Sequence, residues 1–255
     1  MPNWPLVYKT YQDVKNNLIY WTVILLIPTT IIIYFLFLNQ SQQTLISDLI
    51  TNIGANSLLA TLASAICIAS YSFLAFVLIY GMQIHDLVYD KYIIKWRERY
   101  DTEFILPRLT EPFKDDLPKN FSDYAKHYRY KFMGPYYDFV GDLKGGIEEN
   151  TRIRFYERVT WYWITQLNEI FILVFLITTP VFVLFTSGAN FNLHRFAIFM
   201  LILITLGLFN RWLVRRSLMA TTEATQDEIN EILAKPKNVK TLRQRFIKLC
   251  KENKL

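Results

Sequence analysis

Three side chains with polar or charged heads, Gln166, Asn168 and Glu169, stand inside the apolar run WYWITQLNEIFILVFLITTPVFVLF. A carboxylate in such a run has two possible roles. At the water boundary it is an ordinary surface acid. Deeper in, it marks a polar path, because an unpaired charge facing lipid is costly. Counting from Trp161 at about 1.5 Å per residue places Glu169 roughly 12 Å along the run. The cluster Trp161, Tyr162 and Trp163 has the composition of an interface belt, which favours that start. Counting from Ile170 instead leaves Glu169 touching water, so both placements stand. Further on, Thr178, Thr179 and Pro180 form the word ITTP, and an earlier apolar run holds Pro28, Thr29 and Thr30 in IPTT. A proline frees a backbone carbonyl and bends a helix, and threonine hydroxyls recover part of the lost bonding. Such kinks serve packing or a moving gate.

The second constellation is basic and aromatic. KHYRYKFMGPYY brings together Lys126, Tyr128, Arg129, Tyr130 and Lys131; Arg152 and Arg154 lie in RIRFYERV, and Lys240, Arg243 and Arg245 in the tail. Guanidinium and ammonium groups hold phosphates while rings stack on bases, so this chemistry suits an anionic nucleotide or oligonucleotide. The same residue types also anchor membrane helices and cover ordinary domain surfaces. Catalytic chemistry has no such support. His85, His127 and His194 are far apart, and no metal-ligand spacing, phosphate-binding glycine loop or nucleophile elbow occurs. The expectation is a protein with no catalytic residues, no metal and no cofactor, and not an enzyme.

The elements that carry these groups follow from the distribution of apolar residues. The 255 residues are 52% hydrophobic and 16% aromatic, and the apolar residues come in blocks. Residues 18–38 and 57–80 lie in stretches without charge, and residues 161–185 and 194–213 form two further runs. About 20 apolar residues cross a bilayer core, so four spans are expected, the last short unless Arg195 and Arg211 snorkel to opposite interfaces. The fold class is therefore all-α: a polytopic membrane protein with four transmembrane helices and a mostly helical cytoplasmic domain. A signal peptide is the competing reading of the first run, but the run is long for one and lacks a small-residue exit. Residues 81–160 hold 14 Lys and Arg and residues 211–255 hold 11, whereas residues 39–56 hold none. The positive-inside rule then puts both termini and the middle segment in the cytoplasm of a cell bounded by an inner (plasma) membrane. Cys67 and Cys250 form no disulfide framework and are expected reduced.

Residues 1–17 form a short cytoplasmic lead. Residues 81–160 read as a helical domain on two stalks: an amphipathic helix from Gly81 ended by Pro107, a helix around NFSDYAKHYRYKF, a turn-rich MGPYYDFVGDLKGG, and a helix from Gly146 running into the third span. Residues 214–255 read as basic C-terminal helices, the first stopped by Pro236. The second places Val239, Leu242, Phe246 and Leu249 on an apolar seam that packs on the domain, joins other subunits or lies on anionic lipid. In the second span Ser57, Thr61, Ser64, Ala65 and Ala69 make a face of small residues, the kind that lets helices approach closely in lipid, within one chain or between chains.

Four helices in one subunit fill their own centre, so conduction would require several copies around an axis, a homo-oligomer of about four or more. The expected function is an oligomeric membrane ion channel or pore gated through its basic cytoplasmic domain. This layout resembles the small multispan membrane effectors of bacterial antiphage defence, such as the channel subunit of Hailong-type systems. The resemblance is architectural, and no motif carries a residue role across. It implies a nucleotide or nucleic-acid signal and depolarisation of the infected cell. The alternatives are a membrane-anchored helical adaptor recruiting a soluble partner, a small transporter subunit, and a membrane-bound enzyme.

Overall fold

The computed structural model describes residues 9–37, 40–55, 57–82, 99–141, 146–186 and 193–253, and among them every regular element is helical. The helices are α1 (Tyr11–Phe37), α2 (Gln40–Gly54), α3 (Ser57–Phe76), α4 (Leu106–Thr110), α5 (Phe121–His127), α6 (Arg129–Gly141), α7 (Glu149–Thr186), α8 (Leu193–Leu233) and α9 (Pro236–Glu252). α1 opens with a capping box. The Asp13 carboxylate accepts from the Thr10 backbone N–H at 2.8 Å, and the Thr10 hydroxyl oxygen accepts from the Asp13 N–H at 3.2 Å, satisfying donors that a helix start leaves open.

The chain divides into two compact units. The apolar unit comprises Lys15–Gln83 and Tyr162–Arg216; the charged unit comprises Met1–Val14, Ile84–Trp161 and Ser217–Leu255. α7 and α8 each contribute residues to both. Two helical stretches of the described residues, Glu149–Val181 and Phe196–Leu233, are long and apolar enough to cross a membrane. They carry the third and fourth expected spans. The apolar part of α8 ends at Asn210, and the turns from Glu223 onward are acidic. α1 and α3 follow the first two apolar runs with 27 and 20 helical residues.

In the apolar unit the connection expected between the first two spans is instead the 15-residue helix α2. Its apolar residues are spaced for a helix, but polar QSQQ at one end and TNIG at the other disguise it. α3 ends in one π-helical turn, Val77–Gly81. On the small-residue face, Thr61, Ala65 and Ala69 are exposed in this chain, and the Ser57 and Ser64 side chains lie outside those described. The α1 backbone stays helical through Pro28, Thr29 and Thr30, whose side chains are likewise outside. Pro180 sits inside α7. The Thr178 hydroxyl donates to the Val174 carbonyl at 2.7 Å, not to the Leu176 carbonyl that the proline leaves without its usual donor, so the expected repair of the kink does not occur there.

The charged unit buries Ile105, Leu106, Leu109, Phe113, Phe132, Met133, Tyr136, Ile229, Ile232, Leu242 and Phe246 in one core. Phe246 is its hub, with ring centroids 5.9 Å from Phe113, 5.9 Å from Phe121 and 6.4 Å from Phe132. The seam on α9 therefore packs on the domain. Three expectations are corrected here. Pro107 starts a helix instead of ending one: it stands in the first turn of α4, where its missing N–H is harmless. A π-helical stretch, Tyr100–Ile105, precedes it, and the rest of the first stalk, residues 83–98, lies outside the described residues. MGPYYDFVG is helical and not a turn, because Met133, Pro135, Tyr136 and Val140 are buried along one side of α6, and that burial outweighs one missing backbone bond. The helix after the fourth span is not separate from it: α8 runs 41 residues without interruption. Gly146 is forced by close approach, since a Cβ there would overlap the Phe139 carbonyl oxygen.

Candidate functional site

In the apolar unit, α1, α7 and α8 gather polar groups into a belt. On α7, Thr165, Gln166, Asn168 and Glu169 fall within little more than one turn. The Asn168 side-chain oxygen accepts from the Trp21 indole N–H of α1 at 3.2 Å. The Asn210 amide of α8 donates to the Thr165 carbonyl at 2.9 Å, while the Thr165 hydroxyl turns back to the Tyr162 carbonyl at 2.8 Å. Next along α8, Arg211 Nη1 donates to both Glu169 oxygens, at 3.0 and 3.3 Å. Asn17, Thr22, Gln166 and Asn210 are buried.

The question of Glu169 is therefore answered by its partner. Arg211 is the residue at which the apolar run of α8 ends, so Glu169 lies at the same level, in an ion pair. The carboxylate side chain is 18% exposed and the guanidinium 50%. Such a belt fixes the register of three helices and offers a paired charge with one open side. Of the expected gate residues, Thr179 is buried on α7 while Thr178 is exposed; neither reaches the belt through a described hydrogen bond.

The charged unit uses its cations internally. Arg129 is buried against Asp101, Nε to Oδ2 3.6 Å, with the Tyr137 hydroxyl donating to the same carboxylate oxygen at 3.3 Å and the Tyr130 ring 4.4 Å from the guanidinium carbon. A guanidinium so placed is not an open phosphate anchor, which corrects the expectation for that residue. Lys131 donates to the Asn253 side chain at 3.1 Å. Arg154 pairs with Asp227 at 3.1 Å, Arg243 with Asp116 at 2.8 Å and Arg245 with Asp138 at 2.6 Å. The last two hold α9 to the unit. Arg152 is buried. Lys126, Tyr128, Tyr130 and Lys240 remain exposed, with Tyr128 stacked on Tyr124 at 4.9 Å between ring centroids.

One group escaped the sequence reading. Glu228 is fully buried, and its Oε2 accepts from the Tyr136 hydroxyl at 2.6 Å. Burial pushes its carboxyl up to about 8, with Tyr136 and the Arg152 charge working against that rise, so at neutral pH it holds its proton. Beside it, burial pushes the Tyr100 phenol up to about 12, and that hydroxyl donates to Thr225 at 2.7 Å. The signal was present. Thr221, Ala224, Thr225, Ile229 and Ile232 are buried at helical spacing, and Glu228 occupies the same stripe.

The chain belongs to the YmfE protein family, whose family model matches residues 10–246. No curated protein and no solved structure matches it.

Proposed function

We propose that the protein is an oligomeric membrane channel or pore in the inner membrane, controlled through its charged unit. In this reading α1, α3, α7 and α8 all cross the bilayer and both termini are cytoplasmic. The observation that carries it is the polar belt closed by the Glu169–Arg211 pair. A charged, partly open group where the apolar runs begin lines a cytoplasmic mouth and gives a permeant ion a place to dwell. α7 and α8 each contribute residues to both units, and in this reading they carry the signal from the charged unit to the mouth. Four helices in one protomer are expected to fill their own centre with side chains, so conduction calls for several copies, and the exposed Thr61, Ala65 and Ala69 of α3 suit contact with a second copy.

The controlling signal fits an anionic nucleotide or oligonucleotide at the exposed Lys126, Tyr128, Tyr130 and Lys240, with Lys131, hydrogen-bonded to the neutral Asn253 side chain, beside them; the other expected cations have acidic partners or are buried. Opening would then depolarise the membrane, the outcome that the resemblance to defence effectors implies. The test is ion flux into liposomes carrying the purified protein, with Glu169→Gln and Arg211→Gln variants alongside. Altered flux in both supports the reading. A second reading, a membrane-anchored adaptor, is favoured by the exposed Tyr128 and Tyr130, which suit a soluble partner; it requires function without ion flow.

A further inference from the structure

We propose that α2 is a lipid-surface helix, its stripe of Leu45, Leu49 and Ile50 seated in the outer leaflet at the boundary between headgroups and acyl chains. This rests on the four-span reading above.

The stripe is built by spacing. At about 100° per residue, Leu45, Ile46, Leu49, Ile50 and Ile53 fall within an arc of about 140°, and Thr44, Ser47, Asp48, Thr51 and Asn52 fill the opposite face. Ile46 and Ile53 are half-buried, but Leu45 is 72% exposed, Leu49 57% and Ile50 62%. An apolar face of this size on an otherwise polar helix calls for a cover.

Chain length decides which cover. Only two residues separate α1 from α2, and two separate α2 from α3, so each end of α2 lies within about 11 Å of the end of a membrane-crossing helix. Held at both ends, the helix cannot leave the bilayer surface, and the occupant always within reach of its stripe is lipid. Charge narrows the chemistry. Residues 40–54 contain Asp48 and no Lys or Arg, so attachment comes from apolar burial and not from attraction to anionic headgroups.

The test labels single cysteines with an environment-sensitive fluorophore in a Cys67→Ala, Cys250→Ala background. Leu49→Cys reports the stripe, Ser47→Cys the polar face and Phe73→Cys on α3 the membrane interior. Full-length protein is placed in phosphatidylcholine vesicles, with or without phosphatidylglycerol, containing lipids spin-labelled at shallow or deep positions. The expected result is quenching at position 49 by the shallow probe, about twofold or more stronger than at position 47 and unchanged by phosphatidylglycerol, with position 73 quenched by the deep probe. Equal quenching at 47 and 49 while 73 is quenched overturns the inference and leaves the four spans standing. Cross-linking of position 49 to a second copy in place of quenching assigns the stripe to a protein contact and also overturns it. No quenching at 73 removes the four-span reading itself.

Discussion

Arg211 on α8 donates through one nitrogen to both carboxylate oxygens of Glu169 on α7, at 3.0 and 3.3 Å. The pair sits beside two amide contacts, Asn168 with Trp21 and Asn210 with the Thr165 carbonyl, so three helices meet through polar groups at one level. A pair half open to its surroundings is sensitive to what surrounds it, and that makes it measurable.

Reversing both members, Glu169→Arg with Arg211→Glu, is expected to recover most of the stability and flux that either single reversal loses. In a double-mutant cycle on melting, the coupling should be about 1 kcal/mol if water reaches the guanidinium. Additive losses, with no recovery in the double reversal, would mean that the contact is incidental.

Stability should depend on pH through Glu228. Its unfolded carboxyl loses a proton near 4.5 and its folded carboxyl near 8. The folded state therefore binds more protons between those values. This contribution is fully favourable below pH 4.5, falls as pH rises toward 8, and is flat above. By pH 7 the loss is on the order of 3 kcal/mol. Glu228→Gln keeps an acceptor for Tyr136 and removes the titration. Thermal melts from pH 5 to 9 should show a falling profile for the native chain and a flatter one for the variant, which is the more stable at pH 8.

Phe246→Ala should cost roughly 3–5 kcal/mol, since it removes the ring on which three others pack. Cys250 reports the consequence. Its buried thiol lies one turn further along α9, and it should react with a thiol reagent slowly in the native chain and much faster in the variant, measured in a Cys67→Ala background. Equal rates would show that α9 is not held by this ring.

Arg129→Ala should lower the melting temperature while leaving anion binding unchanged, because breaking a buried ion pair strands Asp101; a cost of about 3–5 kcal/mol is expected. Lys126→Ala with Lys240→Ala should do the reverse, sparing stability and weakening binding of a nucleotide probe. Calorimetry on both variants separates the two roles.

How much of this was legible depends on whether one residue type dominates its own surroundings. Long apolar runs mark α1, α3, α7 and α8, because an unbroken apolar stretch of about 20 residues reads as helix whatever surrounds it. Leu242 and Phe246 mark the buried side of α9 by spacing alone. α2 was missed because its polar ends mask a five-residue stripe. The helix through Pro135 was missed because proline and glycine weigh against helix locally, while the burial of Met133 and Tyr136 that overrides them is tertiary. Arg129 looked like an open cation for the same reason: its partner Asp101 is 28 residues away and nothing local points to it. Glu228 was readable, as a carboxylate in an apolar stripe, but an acid in an acidic helix invites the assumption that it faces water.

The most direct measurement is single-channel recording of the purified protein in a planar bilayer, with its subunit number determined in the same detergent. An oligomer with stepwise conductance, whose ion selectivity shifts in Glu169→Gln, is the predicted result. A strictly monomeric protein that stays silent, alone and with every nucleotide probe added, would contradict the channel and leave the adaptor in its place.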